Sequence, residues 1–255
     1  MTGSHSLTFK PAAAVRAVII LVVIALFGGV ASTNARAQSD SFLGFVETYY
    51  RNGEPEEALD WMERIAPTMM DEVWQAADPQ GQRFALVAAF FAHILHNQPS
   101  QIPLLTERLI ANDEPNLSAL GALSIASSGA VGVESALNRL RQTGTVPAET
   151  VQALAATPSY PFPTMQVTGP TDLELMWLSF YATGNPLYVR RVAEAMGHAE
   201  QGDAGVALAA FAYASLAERV THHPAVVDTL RSIAAQRRDL VGHSAAELVS
   251  LAEGG

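Results

Sequence analysis

DLELMWLSFYATGNPLYVRRVAEAM, residues 172–196, is the stretch whose reading decides the fold. Leu173, Met176, Trp177 and Phe180 fall at i, i+3, i+4 and i+7, the spacing of one apolar stripe on a helix. Gly184 supplies a left-handed position that ends that helix. Asn185 can cap a second helix, and Pro186 suits its first turn, where a missing N–H costs nothing. Val189, Val192, Ala193 and Met196 give the second helix its own stripe. A lone hairpin leaves both stripes uncovered, so flanking segments must pack on it. The expected fold is all-α: antiparallel helical hairpins stacked side by side, in the manner of an α-solenoid.

The rest of the chain repeats this grammar. Ser41 to Arg51 reads as an amphipathic helix with Phe42, Phe45, Val46 and Tyr49 on one side, broken by Asn52-Gly53. Pro55 opens the next helix, with Glu56 and Glu57 in the turn where negative charge meets the positive helix end. It runs to about Ala66, is stopped by Pro67, and is followed by a short helix over Met69 to Ala77. Arg83 to Asn97 is apolar around most of its surface, which predicts a central helix. Further helices are expected over Ile102–Ala111, Leu117–Ala126, Val131–Leu140 and Ala148–Ala155. Residues 157–171, TPSYPFPTMQVTGPT, hold four prolines and are read as an extended connector. Its Tyr160, Phe162, Met165 and Val167 predict that it lies against the body. This divides a helical half at 38–156 from another at 172–255, within one continuous domain. Asp203 to Val220, with seven alanines, allows close backbone approach to a neighbour. A helix from His223-Pro224 to about Arg238 and one over Ala245–Ala252, capped by Ser244, complete the reading. No segment alternates with a two-residue period, so no strand is expected.

The N-terminus has the form of an export signal, residues 1–37. Lys10 and Arg16 precede a 15-residue apolar run, Ala17 to Ala31, and no acidic residue occurs before Asp40. The run is short for a membrane span, which needs roughly 20 residues. Ala35-Arg36-Ala37 is a small-x-small cleavage site, so Gln38 becomes the first mature residue and the product is periplasmic or secreted. The mature chain has 218 residues, with 12 basic groups against 25 acidic ones, a formal charge of −13. Such a chain is repelled by nucleic acid and anionic lipid. A chain of this length buries about 70% of its unfolded surface, enough for a core without cross-links, and there is no cysteine to make one.

YYRNGEPEEALDWM resembles a tetratricopeptide repeat. Tyr49, Gly53 and Ala58 have that family's spacing: an aromatic late in the first helix, a turn glycine, and a small residue where the second helix crosses closely. The likeness spans about 25 residues, and no second copy follows at the period of about 34. Phe42 and Val46 stand where the family prefers a tryptophan and a small residue. The segment MWLSFYATGNPLYVRRV is similar to exported bacterial all-helical proteins of no known role. Together these resemblances imply a helical stack and no particular activity.

Few residues carry reactive chemistry. His93 and His96 stand at i, i+3, a spacing that can place two imidazoles on one metal, although a third ligand is needed. The plainer account is a pair in the last helical turn, favoured by the C-terminal dipole. Arg190-Arg191 and Arg237-Arg238 are expected to pair with local carboxylates, His222-His223 to form a helix junction, and Trp61, Trp74 and Trp177 to be core. Without cysteine there is no thiol nucleophile or thiolate metal site. Lys10 is the only lysine, so the mature chain cannot form a Schiff base or anchor pyridoxal phosphate. GxSxG, HExxH and GxGxxG are missing.

The expected function is therefore non-catalytic: an exported helical scaffold or adaptor, without cofactor, that holds a protein or peptide partner in the cell envelope. Phe42, Phe45, Tyr49, Tyr160 and Phe162 are the expected contact residues. The alternatives are a metal-dependent hydrolase built on His93 and His96, and a small-molecule carrier with an apolar cavity between helices.

Overall fold

A computed structural model describes residues 41–69, 81–156, 159 and 165–254. The export signal with its Ala37 cleavage site, the bulk of the helix expected over 69–77 with Trp74, and Tyr160 and Phe162 of the connector lie outside the described residues.

The described chain is all-α, with twelve α-helices and no strand among the described residues. In order they are α1 (Phe42–Asn52), α2 (Pro55–Ile65), α3 (Gln82–Asn97), α4 (Gln101–Ala111), α5 (Pro115–Ser128), α6 (Val133–Thr143), α7 (Ala148–Ala155), α8 (Pro170–Thr183), α9 (Pro186–Glu194), α10 (Asp203–Arg219), α11 (Pro224–Gln236) and α12 (Leu240–Glu253). Two 3₁₀ segments, Ala66–Thr68 and Ala195–Glu200, extend α2 and α9. Residues 38–255 fall in one compact unit. No helix among the described residues is long and apolar enough to cross a membrane.

The central hairpin is α8 and α9. Gly184 closes α8 at φ 67°, and its N–H donates to the Phe180 carbonyl at 2.7 Å. Asn185 Oδ1 then accepts from Leu187 N at 3.0 Å, capping α9. Helix α8 begins two residues before Asp172 because Pro170 fits its first turn. The carboxylate of Asp172 then accepts from Thr168 and Gly169 N–H, holding the entry. The second helix stops as α-helix at Glu194 and tightens to 3₁₀ through Met196.

Helix α3 is central, as its composition predicts. Phe90 and Phe91 are buried, and α3 packs on α5 on one side and α8 on the other. Helix α8 also lies along α1 and α9, while α7 lies against α5 and α6. Helices in contact are thus not always neighbours in the chain. A solenoid repeat contacts only adjacent repeats; here the two-sided apolar surface of α3 recruits segments distant in sequence. At the other end, α9 to α12 pack together with the 3₁₀ segment 195–200. Ala209 and Ala212 on α10 are buried, and α10 lies close against that 3₁₀ segment.

The start of the last helix differs from the sequence reading, and the end of α2 agrees with it. The last helix starts at Leu240, because Asp239 Oδ1 accepts from Gly242 N at 3.1 Å and caps it; Ser244 lies inside the helix. Helix α2 ends as α-helix at Ile65, next to the expected stop, and Pro67 lies in the 3₁₀ turn that follows.

Candidate functional site

Three helices end at one place. Helix α1 stops at Asn52, where the Gly53 N–H donates to the Tyr49 carbonyl at 2.7 Å and Pro55 starts α2. Helix α3 stops at Asn97, where Gln98 N–H donates to the Ile94 carbonyl at 2.8 Å and Pro99 follows. Helix α8 stops at Gly184. Between these ends is an open cleft of about 970 Å³. The helix-end residues Tyr49, Ile94 and Thr183 line its wall. Four carboxamides, Asn52, Asn97, Gln98 and Asn185, join them.

His93, His96 and Tyr49, each singled out in the sequence, all line this cleft. His93 is 1% exposed, and its Nε2 lies 2.6 Å from Ser179 Oγ on α8. The Ser179 hydroxyl donates its one hydrogen to the Leu175 carbonyl at 2.6 Å. His93 Nε2–H must then be the donor to Ser179. This is the reverse of what a nucleophilic serine needs, since the imidazole is not placed to take its proton. The His93 ring meets Tyr188 edge to face at 5.6 Å. Burial, followed by His96, pushes the His93 imidazole down to about 3, so it is neutral.

His96 is exposed, and its Nδ1–H donates to the Ser128 carbonyl at 2.8 Å. The two imidazoles are thus each engaged on different elements, α8 and α5. Among the described residues, no group of three His, Cys, Asp or Glu is arranged to hold a metal.

The aromatic face of α1 points inward. Phe45 and Tyr49 are buried, and Phe42 is half-buried. Phe42 and Phe45 pack on Trp61 of α2 at 6.0 and 5.3 Å. Phe90 meets Phe45 and Tyr49 edge to face at 6.1 and 5.6 Å. Of the rings expected as partner contacts, Phe45 and Tyr49 are buried under apolar faces of α2 and α3, and Phe42 stays partly exposed. Only Tyr49 retains a position at the cleft. Its hydroxyl is pushed up to about 12 by burial, with Glu54 and Glu57 adding to the effect. Trp177, 3% exposed, is core as expected.

A second polar cluster adjoins the cleft and was not legible as more than a helix junction. His223, buried at the N-cap of α11, holds Tyr50 Oη at 3.1 Å from its Nδ1, with Arg51 Nη2 at 3.3 Å. Arg51 also donates to the His222 carbonyl at 2.5 Å and to Tyr50 Oη at 3.0 Å. Two donors facing Nδ1 make it the acceptor and leave the proton on Nε2. Burial, then Arg51 and Arg219, lower this imidazole to about 4. Arg219 stacks over Trp177 at 4.6 Å and donates to Tyr181 Oη at 2.7 Å. Glu47 and Glu174 stand near it, their carboxyls raised chiefly by burial and lowered in part by Arg219. Of the arginine pairs, Arg191 bonds Glu194 at 3.0 Å, Arg237 pairs with Asp239, and Arg190 meets Gln236 at 3.4 Å. The expected pairing with local carboxylates thus holds for Arg191 and Arg237, while Arg190 meets a neutral side chain of α11.

No family model matches the chain, and neither a curated protein nor a solved structure matches it.

Proposed function

We propose that this protein is a non-catalytic exported helical scaffold that holds a protein or peptide partner in the cell envelope, at the cleft between the ends of α1, α3 and α8. The observation that carries the reading is the chemistry of that cleft: about 970 Å³ of space lined by the carboxamides Asn52, Asn97, Gln98 and Asn185. Such groups bind by hydrogen bonding and leave bonds intact. The direction of the His93–Ser179 hydrogen bond supports the non-catalytic reading, since it withholds the base a serine nucleophile would use. The expected export signal fits a protein that works outside the cytosol, and the mature charge of −13 fits one that works away from nucleic acid.

The scaffold is a stack of hairpins like α8–α9, with the 157–171 connector carrying Tyr160 and Phe162 as a further contact surface. Two measurements test the proposal. Expression in an export-competent bacterium should yield a product whose N-terminal sequence starts at Gln38. Affinity capture from the envelope fraction should enrich one partner reproducibly across growth conditions. An uncleaved product in the cytoplasm, or no enriched partner, would count against it.

A further inference from the structure

We infer that the cleft binds an extended, uncharged stretch of peptide main chain, its carboxamides pairing with successive peptide groups. This rests on the proposed function and adds the chemistry of the partner. Asn52, Asn97 and Gln98 are exposed around the cleft, and their side chains make no hydrogen bond to another residue. Asn185 spends its Oδ1 on capping α9, which leaves its NH₂ for a ligand. A carboxamide offers an acceptor and two donors in one plane, the complement of a peptide group with its one N–H and one C=O.

The same cleft disfavours other ligand classes. Arg51 and Glu54 stand on its rim with opposite signs, and Arg51 is already bonded to Tyr50 and His222. A strongly charged ligand therefore finds no matching pair. Of the tyrosines lining it, Tyr49 and Tyr188 are only 8% and 4% exposed, and the half-buried Tyr50 ring is covered by Phe180 at 4.7 Å, Arg51 at 5.3 Å and His223 at 5.8 Å. Stacking of a nucleobase needs an open aromatic face, and a sugar ring gains from one in the same way. Main-chain recognition asks for neither charge nor an open ring.

The test is titration of the ¹⁵N-labelled protein with tetrapeptides of Ala, Ser, Val and Leu, acetylated and amidated at their ends. N-methylated counterparts and a neutral oligosaccharide run in parallel. The expected result is that side-chain NH₂ resonances of Asn97 and Gln98 shift with peptide. Backbone N-methylation, or the double change Asn97→Ala/Gln98→Ala, should each weaken binding by about tenfold, the loss of one to two neutral hydrogen bonds. Asn52→Ala, at the end of a different helix, is an independent variant. Equal binding of N-methylated peptides overturns the inference, as do shifts caused by the oligosaccharide alone or no shift with any peptide at millimolar concentration. Capture of an envelope partner that survives Asn97→Ala/Gln98→Ala and Asn52→Ala also overturns it while leaving the scaffold reading standing. Failure of the unaltered protein to capture any partner removes that reading instead.

Discussion

Ser179 Oγ lies 2.6 Å from His93 Nε2, joining α8 to α3 in the middle of the molecule, with the histidine donating and the serine passing its own proton to the Leu175 carbonyl. Burial holds this imidazole neutral down to about pH 3. The unfolded chain takes up that proton near pH 6.5. The folded pKa is depressed, so stability is complete above pH 6.5 and falls as pH drops, by about 1.4 kcal/mol per unit for each such group. His223, lowered to about 4, adds a second slope over its own range. Denaturant midpoints measured from pH 7 to pH 5 should fall steeply. In His93→Gln, whose amide can still donate to Ser179, the slope should be about half as large. An unchanged slope would show that His93 is protonated in the folded state.

Glu47 works in the opposite sense. Burial raises its carboxyl above the ordinary value, with Arg219 opposing in part. A raised folded pKa means the protonated form fits the native state better, so its stabilising contribution is present at acid pH and lost as pH rises. Glu47→Gln should therefore raise the melting temperature at pH 7, and the gain should vanish near pH 4. Paired thermal melts at the two pH values check this.

Two glycines are needed for different reasons. Gly184 adopts φ 67°, where a side chain meets its own backbone, so Gly184→Ala should cost about 1–2 kcal/mol in urea unfolding. Gly53 has an ordinary φ of −68°, yet a Cβ there would lie 2.1 Å from the Tyr49 ring. Gly53→Ala should destabilise by displacing that buried ring, with a change in near-ultraviolet circular dichroism that Gly184→Ala does not share.

Phe180 is fully buried on α8, 4.7 Å from Tyr50 and 6.1 Å from Trp177 between ring centres. Phe180→Ala should cost about 3–5 kcal/mol, the range for emptying a core aromatic site. Because Tyr50 also holds His223, the loss should loosen the α10–α11 turn, seen as faster amide exchange at His222 and His223.

Local pattern was enough to write most of the helices. The caps at Asn185 and the stop at Gly184 act through hydrogen bonds within a few residues, so they are visible in the string of letters. The same holds for the all-round apolar run that makes α3 central, since exclusion from water depends on composition along one segment. The start of α12 was missed because Asp239 and Ser244 are both competent caps, and the choice fell to packing of Val241 and Ala245 in the core.

What no single segment contains is which stripe covers which. Phe45 and Tyr49 read equally well as a contact face or as core until α2 and α3 are seen lying on them. His93 finds Ser179, and Arg51 finds His222, across long stretches of chain, and only packing brings such partners together. The sequence by itself determined that this chain is helical, acidic and poor in reactive side chains, because those properties are sums over residues or short-range bonds. The tertiary structure alone decided that three helix ends meet around a carboxamide-lined cleft, because hydrophobic burial rewards area without regard to distance along the chain.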